Sequence, residues 1–172
     1  MKKLSVLITV CLFFLCACVD NGDYLAYQKG ALECELAFSV EGSEYEAKLT
    51  LSPQTEGAER DAELYFTSPK TLSGVTVRRK SGAYFVGVDG MEIPLPPSAL
   101  AGFFEVADAF SISGTLERIE AKDGVNVLLV VAKTGRYTVH LDAKEKLPRR
   151  IESDTGGRTV DITIKSINTE QR

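Results

Sequence analysis

The chain has 172 residues, 44% hydrophobic and 26% charged, with a formal net charge of −4. That length suffices for one domain with its own core. The acidic balance excludes the basic footprint that a nucleic-acid partner requires.

The chain opens Met1-Lys2-Lys3, and an apolar run from Leu4 to Ala17 follows, broken only by Ser5 and Thr9. A positive start before a short apolar core is the pattern of a secretory signal. The run is shorter than the roughly 20 apolar residues that cross a bilayer. Asp20, Asn21 and Asp23 follow at once, so cleavage is expected.

The stretch "LCAC", Leu15 to Cys18, resembles the lipobox of bacterial lipoproteins. Small Ala17 directly precedes Cys18, whereas Val10 precedes Cys11 and Leu15 precedes Cys16. Cys18 is therefore the expected lipidation site. The resemblance implies a diacylglycerol on its thiol and a membrane anchor at the extracytoplasmic face, in the cell membrane or an outer membrane. Each buried CH₂ of such chains contributes about 0.8 kcal/mol. An ordinary secretory signal or an uncleaved anchor is the alternative. Val19 stands where the retention signal of some double-membrane bacteria has Asp.

On this reading residues 1–17 are the signal peptide, 18–29 a lipidated tether and 30–172 the folded domain. Loss of Lys2 and Lys3 from 20 basic residues against 24 acidic ones takes the net charge from −4 to −6. Cys34 is then the one free thiol. In "LECELAFSV" it shares a face with Leu32, Leu36, Phe38 and Val40, so a buried, inert thiol is expected.

From Gly30 onward, period-2 alternation dominates. A helical turn is expected around "YLAYQKG" before it. "SEYEAKLTL" (43–51) puts Tyr45, Ala47, Leu49 and Leu51 on one face, joined to the preceding strand through Glu41-Gly42. "SPQTEGAER" (52–60) reads as loop, and "DAELYFTSP" (61–69) as a strand stopped by Pro69. "SGVTVRRK" and "AYFVGVDG" follow across "KSG", with Asp89-Gly90 a strong hairpin signal. "IPLPPSALAGFFEVADAF" (93–110) breaks the rhythm: Leu100, Phe103, Phe104, Ala107 and Phe110 recur at helical spacing. The spacing predicts a helix over 98–110, capped by Ser98 after Pro97.

"GTLERIEAK" leads through Asp123-Gly124 into "VNVLLVVAK", whose continuous apolar run predicts a central strand covered on both faces. "GRYTVHLDA", "LPRRIES" and "RTVDITIKSI" complete the series, with "DTGG" turning between the last two. The expected fold is mainly β (α+β). It is a curved antiparallel sheet or unclosed β-barrel of about ten strands in meander order, and the helix near 98–110 covers its concave face.

"YTVHLDAKEKLPRRIESDTGGRTVDITIKSI" (137–167) and "AELYFTSPKTLSGVTV" (62–77) resemble the lipoprotein-localisation-factor (LolA/LolB-like) family of lipoprotein carriers and receptors. The resemblance implies an unclosed barrel with a helical lid over a hydrophobic cavity that holds acyl chains. The soluble carriers have no lipobox, so the anchor makes this chain more like the receptor, or like the anchored homologues of single-membrane bacteria. The family usually has more lid helices than the one read here.

Chemistry for catalysis is sparse. His140 and Asp142 lie two residues apart on one strand face, with no second histidine and no nucleophile or phosphate-loop motif. An exposed polar face explains both. "RRK" at 78–80 and "RR" at 149–150 read as solvated strand edges. The expectation is a non-enzymatic, monomeric lipoprotein without cofactor or metal, holding a hydrophobic ligand or lipoprotein acyl chain near Leu100, Phe103, Phe104 and Phe110. The alternative for that stripe is plain core. The alternative function is a cell-envelope interaction or sensor domain of the same shape.

Overall fold

The computed structural model describes residues 23–170. Cys18 and the signal-like segment lie outside the described residues. Eleven strands among them form one antiparallel sheet: β1 (Ala31–Val40), β2 (Ser43–Leu51), β3 (Ala62–Ser68), β4 (Thr76–Lys80), β5 (Ala83–Val88), β6 (Met91–Pro94), β7 (Gly114–Lys122), β8 (Val125–Ala132), β9 (Gly135–Asp142), β10 (Pro148–Thr155) and β11 (Arg158–Glu170). A helix, α1 (Pro97–Asp108), lies between β6 and β7, and a 3₁₀ turn at Ala26–Gln28 precedes β1.

The order across the sheet is β6-β5-β4-β3-β2-β1-β11-β10-β9-β8-β7, with β6 and β7 at its two edges. The sheet is therefore not closed. It is two meanders joined where β1 pairs β11, rather than the single meander expected. Its two edge strands are consecutive in sequence, so α1 must cross the sheet to connect them. It does so on the inner face, touching β1, β3, β5 and β11.

The alternation sets the faces as read. Leu32, Cys34, Leu36 and Phe38 are buried, and so are Ala47, Leu49 and Leu51 opposite them. Burial pushes the Cys34 thiol up to about 12, which leaves it protonated and inert. Five two-residue hairpin loops, Glu41-Gly42, Ser81-Gly82, Asp89-Gly90, Asp123-Gly124 and Gly156-Gly157, have positive φ at both positions. Those are type I′ turns, whose twist matches that of the flanking strands.

The unclosed sheet of about ten strands with one helix is as expected, with eleven strands among the described residues counting four-residue β6 in the proline-rich approach to the helix. Three details are corrected. The helix runs Pro97–Asp108, with Phe110 just beyond its end. Ser98 is not its cap: Pro96 holds that position and no side chain caps the helix. Pro97 stands at the first helical position, where its missing N–H costs nothing. Finally, β8 is not central. It is second from the edge, and outward-facing Val127, Leu129 and Val131 are half-buried, flanked by the polar and charged side chains of β7 and β9.

Candidate functional site

The inner face of α1 is apolar by its 3.6-residue repeat. Leu100, Phe104, Val106 and Ala107 are buried, as is Phe110 beyond the helix. The sheet residues packed with them include Leu64, Phe66 and Ile162. Phe103 differs in being half-buried. Its ring meets Tyr45 edge-on at 5.4 Å and Phe66 at 5.1 Å, and Tyr45 stacks on Phe38 at 5.3 Å. Gly102 faces β1 so closely that a Cβ there would lie 3.0 Å from Val40 Cγ1. The four aromatic and aliphatic residues singled out in sequence thus divide, three in the core and Phe103 at its margin.

The inner face does not end where the core ends. Ladder partners share a face, and Leu64, Val77, Val86 and Ile93 are consecutive partners across β3 to β6. Exposure rises along that row from 0% at Leu64 and 2% at Val77 to 53% at Ile93. Met91, opposite Val88 at the same edge, is 65% exposed. At the other edge, exposed Leu116 of β7 pairs buried Val130. A closed barrel would bury these edge side chains.

Beyond the helix C-terminus the chemistry changes. A cavity of about 800 Å³ opens between the β2–β3 loop, the end of α1 and the β8–β9 and β10–β11 turns. Its walls include Arg60 and Arg79, which are only 2% and 3% exposed. Arg60 donates to the carbonyls of Ser52 (2.7 Å), Gly30 (2.6 Å) and Phe110 (3.1 Å), and to Ser111 Oγ (3.3 Å). Arg79 donates to the Arg60 carbonyl at 2.9 Å and pairs with Asp108 at 2.8 Å. Its guanidinium lies 5.3 Å from the centre of the Phe104 ring, within cation–π range. Burial lowers the Arg60 pKa to about 10, with the Arg79 charge adding to the effect. Glu105 Oε2 and Thr155 Oγ1, also in the cavity wall, are buried without a protein partner.

No local pattern in the chain marks Arg60, and the reading of "RRK" as solvated edge fails at one position. Arg78 is a solvated outer-face residue paired with Glu63 and Glu92. Arg79 follows Val77 on the inner face, where Asp108, the Arg60 carbonyl and the Phe104 ring compensate its charge.

The His140–Asp142 pair does not form. His140 Nε2 lies 3.5 Å from Glu152, while Asp142 accepts from the amides of Glu145 and Lys144 and pairs with Arg149. The Glu145 and Lys144 amides, in that order, and Arg149 hold the Asp142 carboxyl below its usual range. A depressed native carboxyl pKa contributes stability above about pH 4 that is lost as pH falls through the native value. Asp142→Asn is therefore expected to lower the urea midpoint at pH 6, with the gap to wild type closing toward pH 3. A gap independent of pH would contradict this.

Among the described residues no group of three or more His, Cys, Asp or Glu side chains is placed to hold a metal ion. No helix among them is long and apolar enough to cross a membrane.

No protein-family model matches the chain, and no curated protein matches it. An uncharacterised conserved protein from Thermus thermophilus is similar in structure, with a TM-score of 0.52 at 11% identity over 87% of this chain and 85% of that one. An outer membrane lipoprotein-sorting protein domain from Vibrio parahaemolyticus gives 0.47 at 10% identity, over 83% and 86%. A LolA superfamily protein from Nitrosomonas europaea gives 0.39 at 11% identity, over 84% and 88%. The solved structures similar to this chain thus include LolA-superfamily and lipoprotein-sorting proteins, and the likeness is one of fold.

Proposed function

We propose that this chain is a non-enzymatic lipoprotein, anchored through Cys18 at the extracytoplasmic face of a bacterial membrane, that holds an acyl chain of a lipid or lipoprotein against the inner face of its sheet beside α1. The observation that carries this reading is the apolar inner-face row, which runs without a polar interruption from buried Leu64 and Val77 to exposed Ile93. Such a row offers an apolar ligand continuous contact and offers a polar one nothing. Half-buried Phe103, beside Tyr45 and Phe66, gives that ligand an aromatic wall.

One observation favours the second reading, a cell-envelope interaction or sensor domain. Leu100, Phe104 and Phe110 are already packed, so a protein segment docking on the exposed edges needs no movement of the helix.

Two experiments test the proposal. Metabolic labelling with a fatty acid should mark wild type and leave Cys18→Ser unlabelled, and equal label on both would remove the anchor. A fluorescent fatty-acyl probe should bind the purified protein saturably, and absence of binding would favour the second reading.

A further inference from the structure

The two edges of the sheet are protected unequally. An edge strand leaves a row of backbone N–H and C=O groups unpaired, and shortness or proline blunts it. β6 has both: it is four residues long and ends at Pro94, with Pro96 and Pro97 close behind. β7 has neither. It runs nine residues without proline, and all are exposed except half-buried Ile119.

The backbone phase of β7 follows from its turn. Lys122 and Val125 flank the two-residue Asp123-Gly124 loop, so they exchange hydrogen bonds, and alternate pairs do so from there. Glu120 and Arg118 thus turn their backbones to β8, and Ile119 and Ala121 turn theirs to the free edge. The side chains sort in step. Ile119 lies opposite buried Leu128 on the inner face, whereas Arg118 and Glu120 lie opposite half-buried Leu129 and Val127 on the outer face.

Charge then selects what can pair with this edge. Two antiparallel copies of β7, related by a two-fold axis normal to the sheet, keep each face matched to itself. Centred on Glu117, Arg118 or Glu120, such a pair sets like charges directly opposite at the axis, which is destabilising. Centred on Ala121, it pairs only three residues before the turn. Centred on Ile119, it sets each Arg118 against the partner's Glu120 on both sides of the axis. Those positions are not hydrogen-bonded across the new pair, so their side chains lie closest there. Arg118 and Glu120 already pair within one strand, both more than half exposed. A second copy therefore closes a ring of four alternating charges.

We propose that β7 is a self-association edge, at which two copies of the chain pair antiparallel about Ile119 and extend one sheet into the next. The monomer expected from the sequence is then the dissociated form. The pairing is independent of the acyl ligand proposed above.

Cysteine cross-linking of the full chain in bacterial membranes tests this. Ile119→Cys places two thiols on the axis, at the Cα separation of about 5.5 Å that a disulfide spans. Lys122→Cys places them three residues to either side, about 20 Å apart. Mild oxidation should give about tenfold more disulfide dimer from Ile119→Cys than from Lys122→Cys, with wild type, whose Cys34 is buried, as background. Adding Arg118→Glu to Ile119→Cys should bring the dimer down to the Lys122→Cys level. Adding Glu120→Arg to that variant should restore it. Equal dimer from the two cysteine positions, or Ile119→Cys joined to a different polypeptide instead of to itself, overturns the proposal. So does a yield that Arg118→Glu leaves unmoved, or one that the charge exchange does not restore.

Discussion

Arg60→Leu is expected to lower stability by at least about 3 kcal/mol, because three carbonyls lose their buried donor at once. The guanidinium fork satisfies the carbonyls of Gly30, Ser52 and Phe110 at once, tying the start of β1, the β2–β3 loop and the end of α1. Leucine fills similar space but leaves those acceptors without a donor, at a cost of about 1–3 kcal/mol for each one that water does not reach. Arg60→Lys keeps the charge and loses the fork, so it should fall between the two. Since the native pKa of Arg60 is lowered to about 10 from 12.5, its side chain binds protons differently in the native and unfolded states only between those values. There the unfolded state binds more, and stability rises with pH. Urea titrations should therefore give the same loss for Arg60→Leu at pH 6 and pH 8. A loss below about 1 kcal/mol would mean the carbonyls find other donors.

The second large effect separates two neighbouring phenylalanines. Phe104 is buried between Tyr84, 4.9 Å away edge-on, and the Arg79 guanidinium. Phe104→Ala should cost about 3–5 kcal/mol, as core truncations of that size do. Phe103 is half-buried on the Tyr45–Phe66 pair, so Phe103→Ala should cost less, about 1–2 kcal/mol from the area it covers. If the acyl chain lies beside α1, that same change should weaken a fluorescent acyl probe about tenfold, or 1.4 kcal/mol. Urea midpoints and probe titrations on both variants check this. Equal destabilisation by the two, with probe binding unchanged in Phe103→Ala, would make Phe103 ordinary core.

The strands and hairpins were readable because their determinants are local. A period of two fixes the face, and an X-Gly pair fixes the turn. The half-exposed row on β8 misled because Val127, Leu129 and Val131 are as apolar as the buried Leu128 and Val130, and composition cannot report the neighbouring strand. Arg60 was invisible for a different reason. Its carbonyl acceptors lie 8, 30 and 50 residues away in the chain, so only the folded sheet order brings them to one point. Arg79 was recoverable, since counting alternation from Val77 turns it inward. The phenylalanine stripe showed which side of α1 is apolar, but helical spacing is the same whether that side meets core or ligand.

Whether the inner face beside α1 holds an acyl chain is tested most directly by native mass spectrometry of wild type and Phe103→Ala, each purified from membranes and compared before and after solvent extraction. Wild type should carry a non-covalent acylated species that extraction removes, and Phe103→Ala should largely lack it, while acylation at Cys18 persists in both. Wild type free of any such species, with its fold intact and its Cys18 acylated, would contradict an acyl-binding inner face.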